Sequence, residues 1–322
     1  MKFTAEKCVL CSEVKPLTEE HIFPKAAGGC LTADILCKDC NSNLGTKIDA
    51  PYLEQPYVQL ARNVLRIPGK RNNIPQPFSE IYEVSVEEAK LRIRMDADFK
   101  PKVITDVSDL SFRPDGSLAL SLVVDVEDRA KIPNIIQRKI ERFFNTPAGK
   151  ALNCSPEQIK RVIVMASEQA SGVAVGQSPV GTLMGNFKID LKRLFVEHIK
   201  VAYEIACVHY KCSFIGTARA EEIRQFLYEN SQSDKTSMWD IETISERLRI
   251  APQIHPTIDR IINLMTGNTS QAHHIALVFG KDVIISMFGM GVMFIDAVDK
   301  SPASSAIYVN DIRQNKCSIF EC

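Results

Sequence analysis

Apolar and polar residues alternate in three runs between residues 80 and 127: EIYEVSV, LRIRM and LALSLVVDV. A period of two marks half-buried strands, and RPDGS between two of the runs is a turn signal. Antiparallel strands are expected there. The period then lengthens. In IPNIIQRKIERFF the apolar residues recur at helical spacing from Ile135 through Ile140 to Phe144. Ser155 ahead of Pro156 and Glu157 is a helix start, a capping hydroxyl followed by proline in the first turn, for a helix reaching about Gln169. VAVGQSPVGTLMG reads as an ordinary Gly-rich loop, with neither GxGxxG nor a phosphate-loop lysine. From Asp190 a long helix is expected, because Leu191, Leu194, Phe195, Ile199 and Ala202 recur three and four apart. Shorter helices should cover residues 218–228 and 258–265. Strands then return, HHIALVF and DVIISMF, joined at Gly280-Lys281.

The first 50 residues look different: rich in cysteine and turns. A helix from about Tyr57 to Leu65 follows, then a loop, GKRNNIPQPFS. The expected layout is a small module over 1–55, a helix and linker over 56–79, and a mixed body over 80–322. The fold class is α+β. There is no internal repeat and no low-complexity tract.

With 322 residues, 45% of them hydrophobic, the chain can bury a sizeable core. Its 39 basic and 39 acidic residues balance, so net charge favours neither nucleic acid nor an anionic membrane. A local basic patch can still act. Lys70-Arg71, with Arg62 and Arg66 before them, offers a phosphate-backbone contact, with a solvated face as the equal alternative. The N-terminus lacks a basic segment followed by an apolar one, and no tract approaches ~20 apolar residues. A soluble, cytoplasmic protein with no membrane partner is expected.

Ten cysteines are many for such a chain. Cys30, Cys154, Cys207, Cys212, Cys317 and Cys322 are scattered, with no pairing by spacing. The other four form two pairs, Cys8-x2-Cys11 and Cys37-x2-Cys40, with 25 residues between. Two residues between thiols let both sulfurs of a knuckle reach one metal, and two knuckles make a tetrahedral thiolate set, the closed geometry of structural zinc. About fifty residues with few large apolar side chains cannot bury enough surface alone, and Zn2+ can supply what is missing. On this layout, chelation or Cys37→Ser should unfold the module and leave the body folded.

A structural zinc ribbon needs no acid-histidine pair, yet TEEHIFPKAAGG stands between the knuckles. A neutral imidazole takes a proton from water near pH 7, and a carboxylate holds a hard divalent ion, so Glu20-His21 suits phosphodiester cleavage. Neighbours on a strand point to opposite sides, so a bend is needed for both to serve one site. Pro24 and Gly28-Gly29 are where the chain could turn.

CVLC, EHIFPKAAGG and LCKDCNSNLGTKID together resemble the HNH endonuclease family in its four-cysteine, zinc-bound form, over about the first 55 residues. The resemblance implies a ββα-metal fold: a hairpin, a loop, and a helix crossing the site. It implies that His21 is the general base, that Glu20 is the acidic ligand of a catalytic Mg2+ or Mn2+ (where Asp is more usual), and that Asn41 is the final ligand through its amide oxygen. The middle Asn of the family pattern is missing, and Thr32 or Asp34 could stand in. A lysine often found three residues after the final ligand is replaced by Leu44. Gly45 and Asp49 resemble one subgroup and receive no chemistry.

The remaining motifs are bland by comparison. His273-His274 has no carboxylate or cysteine within a few residues and reads as surface or strand-end packing. His198 and His209 are eleven apart, too far to share a metal. Trp239 and the tyrosines form no base-stacking platform. The expectation is an endonuclease acting on DNA, with RNA open as a target, and a body that gives recognition, regulation or homo-oligomer formation. Restriction or anti-phage defence is a role by analogy of architecture. Two rivals stand beside it: a zinc-dependent nucleic-acid-binding module that does not cut, and a nuclease effector gated by a ligand of the body.

Overall fold

The computed structural model describes residues 3–69, 72–86, 89–96, 98–112, 118–171, 189–232, 240–251, 256–267, 269–294 and 305–321. The chain divides into two compact units, Met1–Pro77 with Phe187–Cys322, and Phe78–Asn186. This differs from a module, a linker and one body: the expected body is split, and its second part completes the N-terminal module. Lys70, Arg71, Trp239, the RPDGS turn and the Gly-rich loop of residues 173–185 lie outside the described residues.

The first unit opens with an antiparallel hairpin, β1 (Leu17–His21) and β2 (Thr32–Cys37), followed by α1 (Lys38–Leu44). A π-helical turn, Gly45–Asp49, continues that helix into α2 (Ala50–Leu53). Proline in the first turn then starts α3 (Pro56–Val64).

The second unit has a three-stranded antiparallel sheet, β3 (Tyr82–Val86), β4 (Ala89–Met95) and β5 (Pro101–Val103), and a separate hairpin, β6 (Asp106–Phe112) with β7 (Leu118–Val123). Helices α4 (Ile132–Phe144), α5 (Pro147–Ala151) and α6 (Pro156–Ser171) follow. Ile136, Ile140 and Phe144 of α4 recur every four residues and pack with Ile159, Val162 and Ile163 of α6. At the start of α6 the Ser155 hydroxyl accepts from the Gln158 N–H, and the Gln158 side chain accepts from the Ser155 N–H, a reciprocal capping box.

The first unit resumes with α7 (Leu191–Tyr210), capped by the Asp190 carboxylate, which accepts from the Arg193 N–H at 3.2 Å. Every residue from Leu194 to Cys207 is buried. Helices α8 (Cys212–Ile215), α9 (Ala218–Gln232) and α10 (Ile241–Arg247) come next. Strand β8 (Ile250–Ala251) precedes α11 (Pro256–Met265), and then come β9 (His273–Phe279), β10 (Asp282–Met287), β11 (Met290–Phe294), β12 (Ala306–Asp311) and β13 (Lys316–Glu321). The six strands form one sheet in the order β13-β12-β9-β10-β11-β8, with every pairing antiparallel. The fold is α+β. Among the described residues no helix is long and apolar enough to cross a membrane.

The physical reason for the discontinuous unit is its core. One hydrophobic cluster joins Leu10, Phe23 and Ile35 of the N-terminal segment to Val201 and Ile205 of α7 and Ile285 and Phe288 of the sheet region. A module too small to bury its own apolar surface borrows a core from the residues that follow the second unit. Cys30, which spacing left unpaired, forms a disulfide with Cys317 of β13.

His274 on β9 ties the module to the sheet. It is fully buried, its Nε2 donates to Ala27 O at 2.9 Å, and its ring stacks on Phe23. Burial pulls its pKa down to about 4. The folded state therefore holds it neutral, while the unfolded chain takes up its proton below about pH 6.5. Stability is fully present above that pH and should fall by about 3 kcal/mol in total as pH drops from about 6.5 to 4. His198, also lowered by its burial, adds in the same direction. Urea unfolding at several pH values checks this: His274→Gln should flatten the slope in that window.

Candidate functional site

Cys8 and Cys11 lie in the turn before β1, Cys37 ends β2, and Cys40 sits in the first turn of α1. Their four sulfurs all lie within 4.8 Å of one another, and Cys11 Sγ is 3.9 Å from Cys37 Sγ. Cys8, Cys37 and Cys40 are buried. Burial, and then the charge of the Cys8 sulfur, push the Cys40 thiol far above its ordinary value. Four sulfurs this close cannot all ionise unless a cation compensates them, so the cluster is placed to hold a metal ion. The donor set is all sulfur, which suits zinc with no position left open.

The first knuckle is anchored from outside the module. Tyr203 on α7 donates to Val9 O at 2.6 Å, and Arg224 on α9 donates to Leu10 O at 2.8 Å. The loop between β1 and β2 is held as firmly. Asn310 on β12 donates to Gly28 O at 3.0 Å and accepts from the Cys30 N–H at 2.7 Å. Gly28 has φ +89°, and a Cβ on Gly29 would lie 1.8 Å from Phe23 O. Gly29→Ala therefore forces the backbone of the loop apart and should cost about 2–3 kcal/mol, read by urea unfolding.

On β1 the side chains alternate, Glu19 exposed, Glu20 buried and His21 half-buried. His21 pairs across the hairpin with Thr32, and Glu19 pairs with Asp34. Thr32 is thus the cross-strand neighbour of the histidine, and Asp34 stands two pairs further along. Asn41, on α1, donates through Nδ2 to Thr18 Oγ1 at 3.1 Å and to Glu19 O at 3.0 Å. A carbonyl only accepts, so the amide nitrogen must face β1, and the amide oxygen is the atom left to meet a cation. Asn41 thus ties α1 to β1 at Thr18 and Glu19, next to Glu20 in the chain.

No bend brings Glu20 out to His21. Its side chain is 6% exposed and pairs with Lys200 of α7, Oε1 to Nζ 2.9 Å. The same ammonium reaches Asp49 Oδ1 at 2.8 Å. Burial raises the Glu20 pKa and the Lys200 charge opposes that rise. For Lys200, burial works to lower the pKa, but the carboxylates, Asp49 and Glu20 first, hold it well above its ordinary value. Lys200 is therefore a charged ammonium inside the protein. Two further carboxyls, Glu197 and Glu204, are buried on the same helix, and burial pushes both well above the carboxylate range. Glu20 and Asp49 thus share one ammonium, and Glu20 and the Asn41 amide oxygen are the hard oxygen donors that a divalent ion would meet.

Lys200, Asp49, Glu197 and Glu204 had received no role from the sequence. Their signal was present, a charged i, i+3, i+7 stripe on an otherwise apolar helix, but it reads equally as a solvated face. His273-His274 is strand-end packing as expected, with His274 buried against the loop. His198 is a core histidine, bonded to Leu194 O at 2.7 Å and Met290 O at 3.2 Å. His209 meets the Tyr308 hydroxyl at 3.0 Å.

Residues 8–56 match the HNH endonuclease family. No curated protein and no solved structure matches the chain. The matched stretch holds both knuckles, the hairpin, Glu20, His21, Asn41 and the π-helical turn, so the likeness to the HNH endonuclease family belongs to the N-terminal module.

Proposed function

We propose that this protein is a metal-dependent endonuclease that hydrolyses phosphodiester bonds of DNA. The observation that carries the reading is the placement of Asn41. Its amide is fixed to β1 at Thr18 and Glu19, directly before Glu20 and His21 in the strand, within a hairpin and helix closed by four cysteines. In the proposed mechanism Glu20 and Asn41 hold Mg2+ or Mn2+, and Thr32 or Asp34 supports the histidine. The ion, when bound, supplies positive charge to the attacked phosphate and the departing 3′ oxygen. His21 takes the proton of the attacking water. The zinc on Cys8, Cys11, Cys37 and Cys40 is structural and takes no part in the chemistry. The unit of residues 78–186 and the sheet of the first unit are the proposed sources of recognition or regulation, and restriction or anti-phage defence is the proposed setting.

The contact of Lys200 with Glu20 favours one second reading, a nucleic-acid-binding module that does not cut. Plasmid DNA incubated with the zinc-loaded protein and Mg2+ or Mn2+ decides between them. Metal-dependent nicking that His21→Ala abolishes supports the nuclease. Retained DNA binding with no nicking by the wild type supports the binder.

A further inference from the structure

Helix α7 presents Glu197, Lys200 and Glu204 at i, i+3 and i+7, one stripe of a helix, and all three are at most 1% exposed. A single ammonium thus stands among four carboxyls, counting Glu20 and Asp49. It is divided between Glu20 at 2.9 Å and Asp49 at 2.8 Å. No hydrogen-bond donor reaches either carboxyl oxygen of Glu204, whereas the Glu197 carboxyl meets that of Asp49. Buried polar atoms without partners are rare, and each calls for a reason, an ion or a second arrangement among them. Glu204 lies one helical turn beyond Lys200, at the i, i+4 spacing where a lysine stem reaches a carboxyl most readily. Lys200 therefore has a second place to go.

We infer that Glu20 and Asp49 form one cation site, that the Lys200 ammonium is its occupant in this structure, and that a divalent ion enters by exchange while the ammonium passes to Glu204. The exchange balances. Two carboxylates that share one ammonium come to share one divalent ion. An ammonium donates to a carboxyl oxygen whether or not that carboxyl carries a proton, so no proton transfer is required. Asp49, with 18% of its side chain exposed, is the most open member of the set and the point of entry. The inference rests on Glu20 being an ion ligand, and it adds Asp49 as a ligand. It also makes Lys200, outside the matched residues 8–56, the competitor for the site.

The test is Mn2+ binding to the zinc-saturated full chain, followed by loss of the free-ion electron paramagnetic resonance signal and by thermal midpoint. Lys200→Met should bind Mn2+ at least about tenfold more tightly than wild type, since the competing cation is gone, a change worth about 1.4 kcal/mol. Glu20→Gln added to Lys200→Met should remove that gain. Glu204→Leu, which deletes the receiving carboxyl, should weaken Mn2+ binding several-fold in the otherwise wild-type chain. If Lys200→Met does not fold alone, recovery of a cooperative transition with Mn2+, and none in Lys200→Met/Glu20→Gln, supports the exchange. A folded Lys200→Met that binds Mn2+ no tighter than wild type overturns it, as does an unfolded one that Mn2+ does not recover. Cleavage assays on the same samples separate the two claims. Tighter Mn2+ binding with no cutting by any variant ends the nuclease reading and leaves the cation site. Cutting by wild type with no gain in Lys200→Met ends the exchange alone.

Discussion

Chelation of the metal on Cys8, Cys11, Cys37 and Cys40, or Cys37→Ser, is expected to lower the thermal midpoint of the unit Met1–Pro77 with Phe187–Cys322 by roughly 10–20 °C. Structural zinc in an isolated finger contributes about 10–16 kcal/mol of apparent binding free energy. Here Tyr203 and Arg224 grip the first knuckle, and the module's core is continuous with α7 and the sheet. Those contacts retain part of the structure, so a net loss of about 5 kcal/mol is expected, and at this size each kcal/mol shifts the midpoint by about 2–4 °C. The shared core reverses an expectation from the sequence. The module should not unfold alone, because its apolar side chains are also the body's. Calorimetry with and without chelator, with zinc content measured in parallel, checks this. An unchanged midpoint in metal-free protein would end the structural role of the metal.

His21→Ala is expected to reduce cleavage by about 10²–10⁴-fold, the usual contribution of a general base. The fold should hardly change, because His21 is at the end of β1 and only half-buried. Full circular dichroism and zinc content together with lost nicking would place the loss in the chemistry. His21→Ala that cuts as fast as wild type would remove the imidazole from the mechanism. Asn41→Ala should behave differently: its amide ties α1 to β1 through two hydrogen bonds, so stability and metal response should fall together.

What could be read from the sequence was what local spacing dictates. The thiol pairs specified a metal cluster because two-residue knuckles have few other uses. Ser155-Pro156 and Asp190 marked helix starts within a residue, since capping is a local event. The alternating runs became β3, β4 and β7 for the same reason. Separation in the chain hid the rest. Glu197, Lys200 and Glu204 lie more than 140 residues from Asp49, and nothing in helical periodicity says that a charged stripe turns inward. Glu20 and His21 were readable as a pair, but not that strand alternation would send Glu20 to a lysine. The Cys30–Cys317 bond and the Asn310 contacts escaped for the same reason. The division of the body also went unseen, because a core shared across an inserted unit leaves no mark in composition.

The grip of Asn310 on the hairpin loop spans 280 and 282 residues of chain, and the disulfide spans 287. A ribosome adds about 5–20 residues per second, so the residues that clamp the EHIFPKAAGG loop emerge roughly 15–55 s after the loop itself. For that time the acid-histidine pair exists without the strands that hold its loop, and for roughly the first 9–36 s of it without the helix that carries Lys200. The hairpin is made first and assembled last. The surroundings of the acid-histidine pair are therefore completed only after the rest of the first unit has been translated.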